Sequence, residues 1–194
     1  MKTNQLFRIL LLATMTAGSA WAHPGHEEHV SGFAAGIAHP LFGMDHLLAM
    51  LAVGLWSARL GGKAVWGVPL TFMLSMAAGA MLAFAGLSLP FVEPLVAASV
   101  LMLGLALCVR GALPNAVPFA LTAAFAVFHG LAHGAELPAA VARVEYFTGF
   151  MLSTGAIHAA GIAIALLIGT GINRQRAVGV PIALAGVWLL AGTF

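Results

Sequence analysis

His39-Pro40-Leu41-Phe42-Gly43-Met44-Asp45-His46 puts two histidines and an aspartate inside an apolar run covering residues 32–58. Phe128-His129-Gly130-Leu131-Ala132-His133-Gly134-Ala135-Glu136 puts two more histidines and a glutamate inside a second such run. An Asp near the centre of a membrane helix costs roughly 2.5–3.5 kcal/mol on insertion scales, so ionisable groups in such runs need a reason. Imidazole and carboxylate donors together suit borderline ions such as Ni²⁺ and Co²⁺ better than Mg²⁺ or Ca²⁺, which take all-oxygen shells. His129, His133 and Glu136 fall at i, i+4 and i+7, on one helical face. Two histidines one turn apart can grip one ion at about 2.0–2.1 Å each. A lone membrane histidine is ordinarily a hydrogen-bonded packing residue, a reading that three ionisable groups on one face weaken.

Helix geometry limits how the first cluster can act. Along a regular helix His39 and His46 are ~10.5 Å apart, and the adjacent Asp45 and His46 diverge by ~100°. Pro40 removes a backbone hydrogen bond and Gly43 permits unusual angles. The expectation is therefore a kink or unwinding that brings Asp45, His46 and groups of the second cluster together. His158, in a later apolar run, joins the candidates on depth alone.

The elements that must position these groups are membrane helices. The chain is 61% hydrophobic and 7% charged, with a mean hydropathy of +1.02. A soluble core of this length could not bury so much apolar surface, so an all-α polytopic membrane protein is expected. The formal charge of +2 is spread over short loops and forms no nucleic-acid patch. Cys108 stands alone, which excludes an internal disulfide and a Cys-x-x-Cys site.

Residues 1–22 read as a cleaved signal peptide, with Lys2 and Arg8, a short apolar middle, and Ala20-Trp21-Ala22 as cleavage site. An uncleaved first helix is the alternative. Residues 23–30 form a polar lead whose His23, His26 and His29, with Glu27 and Glu28, suit metal capture; a plain soluble tether is the other reading. Residues 31–194 then form one domain of six spans, at 31–58, 64–87, 91–109, 114–136, 145–168 and 177–191. Arg59, Lys63, Arg110, Arg174 and Arg176 follow the odd spans, so those loops are cytoplasmic and both termini extracytoplasmic. The small residues crowding each span are packing surfaces. Met73, Met76, Met81, Met102 and Met151 read as core filler rather than a soft-metal ladder. In this orientation His39, His133 and Glu136 lie toward the outer boundary, with Asp45, His46, His129 and His158 deeper. The groups are strung in depth along a path rather than clustered.

His39-Pro40-x-x-Gly43-x-Asp45-His46 and Phe128-His129-Gly130-x-Ala132-His133-Gly134-x-Glu136-x-Pro138 resemble the two signature motifs of the HupE/UreJ family of nickel/cobalt permeases. The signal peptide, the six spans and the histidine lead also resemble that family. The larger nickel/cobalt transporter family has four residues between the first His and the Asp-His pair. This chain has five, which favours HupE/UreJ. The resemblance implies passage of Ni²⁺ or Co²⁺ across a bacterial cytoplasmic membrane toward metalloenzymes such as hydrogenase or urease. It makes His39, Asp45, His46, His129, His133 and Glu136 metal-site candidates, with the ion as cargo and no prosthetic group. Each motif opens a half of three spans, so a 3+3 inverted repeat is expected.

No Gly-x4-Gly-Lys-Ser/Thr loop is present, so ATP drive would need another subunit. A homo-oligomer is equally open. Protonation weakens histidine ligands, so uptake should fall below about pH 6. Two rivals remain: an intramembrane zinc hydrolase, against which stands the lack of His-Glu-x-x-His, and a bis-histidine haem carrier.

Overall fold

Each apolar run folds into helix because lipid offers no partner to a free backbone N–H or C=O. The computed structural model describes residues 32–110, 114, 116–136 and 143–194, apart from the Glu136 side chain. The predicted signal peptide and the lead with His23, His26 and His29 lie outside the described residues. Seven helices follow in order: α1 (Gly32–Phe42), α2 (Met44–Leu60), α3 (Ala64–Phe84), α4 (Val92–Cys108), α5 (Ala116–Glu136), α6 (Arg143–Ile168) and α7 (Ile172–Ala191).

Among the described residues, three stretches are long and apolar enough to cross a membrane: Ala64–Phe84, Ala116–Ala135 and Arg143–Ile168. The pair α1 and α2 makes a fourth if its two parts, bent by 77°, count as one span. Helix α4 is apolar but shorter, and α7 begins with the polar Asn173, Arg174 and Arg176. The helices are apolar on both faces, so position rather than residue type divides inside from outside. On α3, Val68, Phe72 and Met76 are buried, while Trp66, Leu70 and Leu74 face outward. A helix hydrophobic all round belongs in a core or a membrane. The methionines divide in the same way: Met76 is core, but Met81 and Met102 point outward and fill nothing inside.

Helix α3 packs along α5, α4 along α7, and both α1 and α2 along α6. Small residues set these crossings. A Cβ on Gly130 would lie 2.0 Å from the Met76 carbonyl oxygen, and one on Gly36 would lie 2.0 Å from that of Tyr146. Either would force the backbones apart. The neighbours also give the direction of each pair. Phe33 meets Gly149 while Leu51 meets Gly161, so the bent pair α1–α2, taken end to end, advances in the same direction as α6. Phe119 meets Gly67 and Val127 meets Gly79, so α5 runs parallel to α3. Leu101 meets Gly186 and Leu107 meets Gly179, so α4 is antiparallel to α7.

At one end of the bundle, arginines close the last turn of α4. Arg59 Nη1 donates to the carbonyl of Leu107 at 2.9 Å, and Nη2 donates to that of Val109. Arg176 Nε donates to the carbonyl of Cys108 at 2.9 Å. These carbonyls have no partner within the helix, and a cation suits the negative end of its dipole. Arg143, the first residue of α6, lies 5.4 Å from the centre of the Phe84 ring at the end of α3.

Candidate metal centre

The expected break occurs, and Gly43 is its hinge. Helix α1 continues through Pro40 to Phe42, and Gly43 then takes an extended conformation with φ −77° and ψ 109°. That φ is open to any residue, so unusual angles are not the reason for glycine here. The reason is room, since a Cβ would sit 3.3 Å from Asp45 Oδ1 and 3.4 Å from His46 Cγ. Gly43 N–H still donates to the carbonyl of His39, and Leu47 N–H to that of Gly43, so the break leaves few backbone groups unpaired.

The bend brings the first motif's histidines together. The ring centres of His39 and His46 are 5.8 Å apart, which a straight helix would not allow. Helix α5 supplies the third ring: His133 lies 4.8 Å from His39 and 4.1 Å from His46, centre to centre. One nitrogen from each of His39, His46 and His133 falls within a group no wider than 4.8 Å. Bonds of about 2.1 Å to one ion need nitrogens ~3–3.5 Å apart, a gap that modest side-chain rotation closes. His46 and His133 are buried and His39 is half-buried. Tyr146 and Phe150 wall the group, with the Phe150 ring 4.0 Å from that of His133.

Asp45 stands behind this group rather than in it. Its Oδ1 accepts from the His46 backbone N–H at 2.8 Å and lies 2.9 Å from His46 Nδ1. The contact is an ion pair rather than an aligned hydrogen bond, Nδ1 having no hydrogen-bond partner among the described residues, and a carboxylate there restrains the ring. The side chain of Glu136 lies outside the described residues. His129 is fully buried beside His46, ring centres 5.1 Å apart, and its Nε2 is 2.8 Å from Ser99 Oγ. His158 lies apart from the group, against Phe72 at 5.1 Å.

The outcome for the sequence-derived candidates is therefore mixed. His39, His46 and His133 converge on one point, so the expectation of groups strung in depth fails for these three. The bend removes the rise that separated the first two. His129 and His158 do lie further along the bundle. Sequence reasoning missed Ser99, which shows only as a hydroxyl in an apolar run. It also missed Phe72 and Phe150, which nothing in a hydrophobic sequence distinguishes from core.

The sequence matches the family described as HupE / UreJ protein over residues 10–189. The chain belongs to that family. It is 42% identical over 184 residues to Protein HupE of Rhizobium leguminosarum bv. viciae, a match covering 94% of this chain and 95% of that protein. No solved structure matches it. Both motifs lie within the matched region, and the three clustered histidines are drawn from both.

Proposed function

We propose that this protein is a permease that carries Ni²⁺ or Co²⁺ across a bacterial cytoplasmic membrane to supply metalloenzymes such as hydrogenase or urease. The observation that carries the reading is the convergence of His39, His46 and His133 within 4.8 Å. Three neutral nitrogens with a carboxylate behind them bind borderline divalent ions and disfavour Mg²⁺ and Ca²⁺. Such a site holds the ion loosely enough to release it if side-chain motion removes one donor. Asp45 restrains His46, and His129 stands next in line. Glu136, at the end of α5, and the histidines of the lead would gather the ion outside.

Six crossings with both termini outside complete the reading. Helix directions support it: parallel pairing of the first with the fifth span and the second with the fourth, and antiparallel pairing of the third with the sixth, is what alternating crossings give. That pattern is also unchanged when the two halves are exchanged, as an inverted repeat requires. The arginines of α2 and α7 gather at one end of the bundle, and Arg59 is 13 positions from His46, or ~20 Å along α2. With those arginines cytoplasmic, the three-histidine group opens toward the outside. The ion is cargo, no chemistry is performed on it, and a second copy or an energising subunit would complete a driven machine.

A three-histidine group is also the donor set of catalytic zinc sites, so the hydrolase reading is kept as the rival. Uptake of radiolabelled Ni²⁺ and Co²⁺ by cells expressing the wild type, His46→Ala and His133→Ala separates the two. The permease reading expects uptake in the wild type and its loss in both variants. Uptake that survives both substitutions would refute it.

A further inference from the structure

The three-histidine group does not account for the most deeply buried polar side chains of the bundle. His158 is 2% exposed, and neither ring nitrogen has a hydrogen-bond partner among the described residues. Thr154, one turn earlier on α6, is fully buried with a hydroxyl that has no partner among the described residues. His129 Nδ1 is likewise buried and unpartnered. Burying a polar group without a partner costs free energy, and a bundle built only for packing would have apolar residues there.

These groups also lie in sequence along one direction. Phe150 touches His133 at the three-histidine group, and His158 is eight residues further along α6, ~12 Å. Helix α2 gives the same depth independently. Gly54 is eight residues beyond His46, and a Cβ on it would lie 2.3 Å from the His158 carbonyl oxygen. His129 is one turn from His133 on α5, hence about midway. The Phe72 ring packs on both inner histidines, 5.5 Å from His129 and 5.1 Å from His158.

We infer that His158, with the hydroxyl of Thr154, forms an inner station for the transported divalent ion, reached from the three-histidine group by way of His129. This rests on the permease reading. A single imidazole with a hydroxyl neighbour binds a divalent ion weakly, as a station that must release its ion requires. The outer group, with three imidazoles, sets the affinity of capture.

The test uses full-length protein and Co²⁺, followed by its visible absorption in detergent and by radiolabelled uptake in cells. His158→Phe keeps an aromatic ring against Phe72 while removing both nitrogens. It should bind Co²⁺ with the wild-type spectrum and affinity, and half-saturate at the same external concentration. Its maximal uptake should fall about tenfold or more, as loss of a metal-contacting group implies. Wild-type uptake at saturating Co²⁺ would overturn the inference. So would a change in Co²⁺ affinity that accounts for the whole loss, because His158 would then merely support the outer group. If His158→Phe does not accumulate in the membrane, Thr154→Val removes the hydroxyl at nearly constant shape. That variant should lower maximal uptake without changing Co²⁺ affinity, and an unaltered rate overturns the inference. Wild-type cells that take up no more Co²⁺ or Ni²⁺ than cells lacking the protein would instead refute the permease reading itself.

Discussion

The two ends of the bundle treat costly polar groups in opposite ways. At the basic end, the guanidinium groups of Arg59 and Arg176 are matched to the free carbonyls that finish α4. At the other, both ring nitrogens of His133 are buried without a partner among the described residues. The first arrangement converts charge into a helix cap and stabilises the fold. The second leaves donor atoms unspent and weakens the fold, which is the mark of a site kept for something that arrives. The difference teaches that polarity inside an apolar bundle does not itself announce function. Whether the polar atoms are satisfied is the better guide.

That contrast can be broken first at His133. His133→Leu should reduce metal affinity by more than the roughly 10–100-fold that losing an outer-shell partner costs, because it removes a direct donor. It should leave metal-free thermal stability unchanged or raised, since no hydrogen bond is lost. Titration with Co²⁺ and thermal unfolding in detergent check both halves, and a destabilised metal-free variant would contradict the distinction. Asp45→Asn comes next. It keeps the shape behind His46 but weakens its hold on the ring, so affinity should fall by about 10–100-fold with the three histidines still in place.

Gly130→Ala tests positioning rather than chemistry. Its Cβ would meet the Met76 carbonyl oxygen at 2.0 Å, so α5 must shift from α3 and carry His129 and His133 with it. A stability loss of about 1–3 kcal/mol is expected from such overpacking, read by denaturation in detergent, with metal affinity falling alongside. The smallest effect is expected at the basic end. Arg59→Gln should cost about 1 kcal/mol, its hydrogen bonds being partly open to solvent. Co²⁺ affinity should not change, and a weakened metal site in this variant would show that the two ends are coupled.

Much of the site was legible in the sequence, because ionisable residues in apolar runs are conspicuous against their surroundings. The sequence confined the break to the stretch holding Pro40 and Gly43; the helix runs on through Pro40 and breaks at Gly43, where the reason for glycine is room beside Asp45 and His46 rather than freedom of φ. The fold was legible to the extent that apolar length defines helices. The polar start of α7 and the shortness of α4 show where that rule loses force. Ser99, Phe72 and Phe150 were not legible, since a hydroxyl or a phenyl ring in an apolar run looks the same whether it faces lipid, core or site.

Membrane class, family, candidate donor types and the stretch in which the first apolar run bends could all be read from the sequence alone. Each of these depends on local composition or on a short motif, and local physics is enough to read them. Only the tertiary structure decided which donors meet. The rings of His39 and His46 approach because the helix turns 77° at Gly43. His133 joins them because close helix packing, as at Gly36 against Tyr146 and Gly130 against Met76, sets the register of α1 on α6 and of α5 on α3. These approaches join residues 110 and 54 positions apart in the chain, and no helical period carries that information.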